Sequence, residues 1–232
     1  MEKDKLKIIS IIPARGGSKS IPRKNIKLLA GKPLLAYSIE QSLNSKLVDR
    51  TIVSTDDKEI ADIAKKYGAE VIERPAELAT DTARTEPVLQ HVVNLLESKG
   101  EHIDIIVLLQ PTSPLREKED IDNAINTLLK IKADSLVSVY DFYPYFLWDK
   151  KGDIGIPTNY DPQHRPIKQE KKFYRENGSI YVIKRDILMK QNCRLGGKIA
   201  LYIMNESSSM DIDTEFDFWI IEQFIRKRKV YK

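Results

Sequence analysis

LKIISIIPARGGSKSIPRKN, residues 6–25, begins as an apolar run and ends as a loop of glycines, hydroxyls and cations. A short continuous apolar run followed by turn residues suits a strand buried on both faces. Residues 6–12 are therefore read as a buried strand, and the loop leaves its carboxyl end. In open α/β sheets ligands bind at the carboxyl ends of strands. The loop holds Arg15, Lys19, Arg23 and Lys24 beside Gly16 and Gly17. Glycines let backbone N–H groups approach an anion, and the cations neutralise several phosphate charges. Neither Gly-x-x-x-x-Gly-Lys-Ser/Thr nor Gly-x-Gly-x-x-Gly fits the spelling. The loop is built for a polyphosphate, in a form of its own.

Further buried-strand candidates recur at 50–54, 104–109, 135–139, 179–183 and 199–204. Helical stripes lie between them: Ile60, Ile63, Ala64 and Tyr67; Val88, Leu89, Val92, Val93 and Leu96; Ile121, Ile125, Leu128 and Leu129. Strand–helix alternation predicts an α/β fold, a mostly parallel sheet with helices on both faces. The alternation breaks at 140–176, which is rich in aromatics, prolines and charges and has no helical period. Its aromatic content argues against disorder, and it is read as an inserted lobe or subunit contact within one domain spanning 1–232.

The chain has 232 residues, 38 basic and 34 acidic, for a net charge of +4. That near balance argues against a nucleic-acid binder, which concentrates a larger basic excess. The run Arg226-Lys227-Arg228-Lys229 reads as a solvated helix end complementing the macrodipole. A single cysteine, Cys193, excludes an internal disulfide and a multi-cysteine zinc site, and suits a reducing, cytoplasmic setting. The start is charged rather than signal-like, and the apolar runs are too short to span a bilayer. His91, His102 and His164 are scattered, and no Ser-His-Asp or Cys-His constellation appears.

Several motifs admit two readings. In Ser54-Thr55-Asp56-Asp57 either aspartate can bind a ligand or metal, or cap the next helix. Arg74 precedes a hydroxyl-rich stretch in which Thr82 and Thr85 can cap a helix. Gln110 leaves a strand end aimed toward a ligand, whereas Arg116 can serve structure alone. Asp211 and Asp213 are two apart, so on an extended segment both carboxylates share one face and Ile212 points into the core. Like charges so placed call for a cation between them. Oxygen donors with few protein ligands suit Mg²⁺, which retains waters and substrate phosphates. Thr214-x-x-Asp217 spells a capping box before a helix at 218–225, and leaves Asp211 unexplained.

Taken in order, IPARGGSKSIPRKN, IVSTDD, RPAELATDTA, LLQPTSPLR, YRENGSIYV and MDIDTEFD resemble the CMP-sialic acid synthetase (acylneuraminate cytidylyltransferase) family, over residues 12–217. The resemblance implies a Rossmann-like nucleotide-diphospho-sugar transferase fold and transfer of CMP from CTP to a nine-carbon 2-keto sugar acid. It places Arg15, Ser18, Lys19, Lys24, Asn25, Arg74 and Thr85 against the nucleotide, with Lys19 and Lys24 among the catalytic groups. Gln110 and Asn177 fall near the sugar acid. Asp211 and Asp213 match catalytic carboxylates that hold Mg²⁺, with Mn²⁺ as an alternative. The 140–176 segment resembles a dimerisation extension, so a homodimer is implied, with no nucleic-acid or membrane partner. Sister enzymes for legionaminic or pseudaminic acid share this chemistry. One departure stands out: where the family shows Arg-Gln-Asp or Arg-Gln-Gln, this chain has Lys168-Gln169-Glu170, or Arg165 displaced. Lysine lacks the bidentate fork of arginine, so sugar recognition would differ there.

Overall fold

The opening run lies at the centre of a seven-stranded sheet, in a computed structural model that describes residues 5–142, 146–167 and 172–230. In chain order the first half contains β1 (Ile8–Pro13), β2 (Leu28–Leu29), β3 (Lys32–Pro33), α1 (Leu34–Leu43), β4 (Arg50–Thr55), α2 (Lys58–Lys66), β5 (Glu70–Glu73) and α3 (Thr85–Glu97). The second half contains β6 (Ile105–Leu109), α4 (Asp120–Ile131), β7 (Ser135–Phe142), β8 (Trp148–Lys151), β9 (Ile154–Pro157), β10 (Phe173–Lys184), α5 (Arg185–Gln191), β11 (Ile199–Met204) and α6 (Glu215–Val230). The sheet order is β11-β7-β10-β6-β1-β4-β5.

β1 pairs in parallel with both β4 and β6, β4 with β5, and β7 with β11. β10 alone is reversed, antiparallel to β6 and β7. The other six strands therefore run one way, and their carboxyl ends open on one rim. β1 shows why its sequence suits the centre. Ile8 and Ile12 enter the core under α1, α2 and α4, while Ile9 and Ile11 enter the core under α3 and α5. Ser10, fully buried between them, is satisfied by Ser42 Oγ at 2.5 Å. A third core joins Leu34 and Tyr37 of α1 to Phe218, Ile221 and Ile225 of α6, with Ile21 and Ile212 between.

Most expected elements are present, with adjusted ends. The strand expected at 179–183 is the last part of a twelve-residue strand beginning at Phe173. The helix expected at 218–225 spans Glu215–Val230 and includes the basic run. Of the fourth-helix stripe, Ile121, Ile125 and Leu128 are buried, but Leu129 faces outward, one position past the buried arc. The described parts of 140–176 are more regular than their sequence suggests. The segment's two ends extend β7 and β10 as a paired ribbon, Phe142 opposite Phe173, and β8 and β9 form a hairpin between them. Leu147, Trp148, Ile154 and Ile156 of this lobe are exposed rather than packed into a core.

Arg116 locks the rim. Its buried guanidinium satisfies all five N–H donors: Nε and Nη2 donate to the Ser179 carbonyl (3.2 and 2.7 Å), Nη2 also to the Gln110 carbonyl (2.6 Å), and Nη1 to Ser38 Oγ and Gln41 Oε1 (3.0 Å each). Burial pushes its pKa down to about 9, which still leaves it cationic at neutral pH. The structural reading of Arg116 is realised. Arg116→Ala strands these buried acceptors and should cost about 3 kcal/mol or more in urea unfolding; a loss below 1 kcal/mol (roughly the worth of one neutral hydrogen bond) would show that water replaces the guanidinium.

Candidate active site

The parallel strands deliver their following loops to one rim, and two cavities open there. The first, of about 480 Å³, is lined by Arg15, Ser18, Lys19, Lys24, Asn25, Arg74, Thr85 and Gln110, together with Thr80, Asp81 and Arg84. The second, of about 590 Å³, is lined by Gln110, Tyr140, Arg175, Glu176, Asn177, Gly178, Glu206, Ser209, Met210, Asp211, Asp213 and Asp217. Gln110, the first residue past β6, belongs to both. All seven residues expected against a nucleotide thus fall in one cavity, and the expected carboxylate pair falls in the other.

The glycine loop is held from beneath by both aspartates of Ser54-Thr55-Asp56-Asp57. Asp56 Oδ1 accepts the Gly16 N–H at 3.0 Å. Asp57 caps α2, accepting the Ile60 N–H at 2.9 Å, and also pairs with Arg23. The capping reading is therefore correct for Asp57, while Asp56 fixes the loop. A Cβ on Gly16 would lie 2.7 Å from Asp57 Oδ2, so the loop needs glycine there for close approach. Asn25 is largely buried, and its Nδ2 donates to the Arg15 carbonyl at 2.9 Å, closing the loop on itself.

The cations of the first cavity differ in their ties. Lys19 meets Asp81 at 2.5 Å, and Arg15 donates to the Thr80 carbonyl (2.6 Å) and lies 3.2 Å from Asp81. Arg74 follows β5, nearly buried, with Nη2 donating to the Ser54 carbonyl at 2.6 Å. Burial pushes its pKa down to about 10, so it too remains charged at neutral pH. Among the described residues no carboxylate lies within ion-pair distance of it, and its charge faces the cavity. Neither Thr82 nor Thr85 caps α3; the cap position is Arg84, with no side-chain cap bond. Thr85 is free to line the cavity instead.

Lys24 bridges the two cavities. Its Nζ donates to the Ile212 carbonyl at 2.7 Å and lies 3.8 Å from Asp213 Oδ1. Ile212 is fully buried and its N–H donates to the Thr112 carbonyl at 3.0 Å, so the Asp211–Asp213 segment is pinned by its middle residue. Asp211 also accepts from Ser113 Oγ at 3.3 Å. The capping box forms as spelled: Thr214 Oγ1 accepts the Asp217 N–H (3.2 Å), and Asp217 accepts the Thr214 N–H (2.7 Å). It explains Thr214 and Asp217 and leaves both Asp211 and Asp213 at the cavity wall. No third histidine, cysteine or acid joins them as a metal cluster among the described residues. Two oxygen donors with the remaining positions open fit Mg²⁺ shared with phosphates and water.

Asn177 lies on the second cavity with its amide already engaged: Nδ2 donates to Ser209 Oγ (2.9 Å), and Oδ1 accepts from Ser138 Oγ (2.6 Å) and the Ser179 N–H (3.1 Å). In this arrangement it braces the β10 bulge, and Gly178 beside it takes φ 68°. Lys168 and Gln169 lie outside the described residues. Arg165, the other reading of that departure, stacks over Phe146 at 4.0 Å in the lobe. Arg175, Arg84 and Asp81 were not singled out from the sequence. Arg175 sits inside the quoted stretch YRENGSIYV, and the period-two alternation of a strand offered the one available signal.

The chain belongs to the cytidylyltransferase family, whose pattern matches residues 9–231. It is 36% identical over 229 residues to CMP-N,N'-diacetyllegionaminic acid synthase of Legionella pneumophila, covering 95% of this chain and 97% of that one. It is 34% identical over 230 residues to N-acylneuraminate cytidylyltransferase of Escherichia coli O18:K1:H7, covering 97% of this chain and 54% of that one. The fold matches CMP:2-keto-3-deoxy-manno-octonic acid synthetase, solved with CTP, at a TM-score of 0.73 and 17% identity over 96% of this chain and 99% of that one.

Two outcomes test the loop. Gly16→Ala should raise KM for CTP about tenfold or more by displacing the loop from Asp57, read from initial rates across CTP concentrations. Arg23 chiefly, with the Ile60 N–H, holds the Asp57 carboxyl below its ordinary value. Its stabilisation is complete above about pH 4 and disappears as pH falls through the lowered folded value. Melting curves should therefore show a smaller acid loss for Asp57→Asn than for wild type.

Proposed function

We propose that this cytidylyltransferase transfers CMP from CTP to the anomeric hydroxyl of a nine-carbon 2-keto sugar acid, N-acetylneuraminate or a relative, releasing pyrophosphate. The carrying observation is the pair of cavities meeting at Gln110, one lined by cations and the other by the Asp211–Asp213 segment. CTP occupies the first. Arg15, Ser18 and Lys19 bind its phosphates through the loop, Lys24 of the same loop reaches them while tied to the Ile212 carbonyl, and Asn25, Arg74 and Thr85 complete the nucleotide wall. The sugar acid occupies the second cavity beside Gln110 and Asn177, with Arg175 the cation on its wall; Lys168 and Gln169 belong to the same substrate set by resemblance.

The anomeric hydroxyl oxygen attacks the α-phosphorus in line and its proton passes to water; a new O–P bond forms, and the bond from the α-phosphorus to the bridging oxygen breaks as pyrophosphate leaves. Positioning and electrostatics dominate such transfers, which accords with the lack of a nucleophile constellation. Asp211 and Asp213 would hold Mg²⁺, or Mn²⁺ in its place, and that ion when bound offsets charge on the departing pyrophosphate. Lys19 and Lys24 supply the protein's own share of that charge stabilisation. The second reading, a CMP-legionaminic or CMP-pseudaminic acid synthetase, keeps the chemistry and is favoured by the full-length similarity to the Legionella enzyme. The exposed apolar residues of the 146–167 lobe support a homodimer built through it. No described helix is long and apolar enough to cross a membrane, and a cytoplasmic setting suits a user of CTP.

Pyrophosphate release is measured with CTP, Mg²⁺ and, separately, N-acetylneuraminate, diacetyllegionaminate, pseudaminate and Kdo. Release with a nine-carbon acid is expected; tight CTP binding with no release from any acid would instead point to a nucleotide sensor. Asp211→Ala should abolish release while leaving the melting temperature intact, and full activity in that variant would remove the carboxylate from the mechanism.

A further inference from the structure

The Glu176 side chain is fixed in a way an exposed glutamate seldom is. The register of β10 against β7 shifts between Glu176 and Tyr181, and within that bulge the Tyr181 hydroxyl meets Glu176 and donates to its Oε1. The Tyr181 ring is buried in the core under α3 and α5. Arg194 lies over the same ring, 5.2 Å from its centroid, and its Nε donates to Glu86 Oε1 at 2.7 Å. Glu86 follows Thr85, which lines the first cavity, in the first turn of α3, so the chain Glu86, Arg194, Tyr181, Glu176 runs from a residue next to that wall to the wall of the second cavity.

A free surface glutamate loses rotamer entropy when a ligand orders it. Glu176 has already been ordered by a buried phenol, so it can accept a hydrogen bond at little further cost. One oxygen takes the phenol, and the carboxylate retains acceptor capacity toward the cavity. Among the described residues no cation pairs with it. Its neighbour Arg175 lines the same cavity with the opposite charge. A ligand carrying both a carboxylate and neutral donors is thereby oriented: its carboxylate is repelled from Glu176 and attracted by Arg175, and a donor group faces Glu176.

We propose that Glu176 is a specificity-determining acceptor for one hydroxyl or acylamino N–H of the sugar acid, and that Tyr181 positions it. The inference rests on the sugar acid occupying the second cavity. It is tested with the acid that wild type accepts and a set of analogues, each lacking one donor through deoxygenation or N-methylation. Values of kcat/KM are compared for wild type, Glu176→Ala, Glu176→Gln and Tyr181→Phe. In wild type one analogue should lose about 10- to 100-fold, the range for a hydrogen bond to a charged group. Glu176→Ala should show no added loss with that analogue, Glu176→Gln should restore part of the discrimination, and Tyr181→Phe should weaken it. KM for CTP should stay within about twofold in all four, since uniform loss of nucleotide binding would report misfolding. Equal penalties for every analogue in wild type and Glu176→Ala would overturn the proposal and leave Glu176 as a partner for the phenol alone. Wild type that turns over no sugar acid would overturn the proposed function, and this inference with it.

Discussion

The rim of the sheet depends on one buried cation that, among the described residues, donates to no carboxylate. Arg116 is held by two carbonyls, a hydroxyl and an amide, and it ties together three elements at the rim: the end of β6 at Gln110, the bulge of β10 at Ser179, and α1 at Ser38 and Gln41. Desolvating a guanidinium is costly unless its donors are met, and here all five are. Arg116, which lines neither cavity, thus helps to fix both Gln110, the residue common to the two cavities, and Gly178, one residue before Ser179.

The two cavities carry opposite charge because the topology assigns their walls to different loops. The loops after β1 and β5 bring Arg15, Lys19, Lys24 and Arg74, while the loop after β11 brings Glu206, Asp211 and Asp213. A triphosphate suits the first set, and oxygen-ligated cations suit the second. Lys24 crosses the boundary: it springs from the phosphate loop, yet donates to the Ile212 carbonyl between the two aspartates. Movement of either segment is therefore felt by the other.

Much of this was legible from residues. β1 and its loop could be read because a strand buried on both faces must be apolar throughout, and α3 because its inward residues keep helical spacing. The Asp211–Ile212–Asp213 segment was legible because alternation sends the isoleucine inward. α1 escaped because seven of its ten residues are buried, so no polar face marks a period. β5 is a four-residue edge strand with Glu70 and Glu73 exposed, too short and polar to stand out. The hairpin of β8 and β9 escaped for the reverse reason, with its apolar residues facing out. Asp81 joins the site through its ion pairs with the distant residues Arg15 and Lys19, which neither spacing nor composition encodes.

Asp81 changes what nucleotide binding means here. The loop cations do not wait in isolation; Lys19 and Arg15 already lie against its carboxylate. On the proposed placement of CTP, the triphosphate exchanges one anion for another, and the loop passes from one neutralised arrangement to a second without a stage of bare mutual repulsion. On that placement, affinity reflects the difference between two anions rather than the attraction of free cations for one.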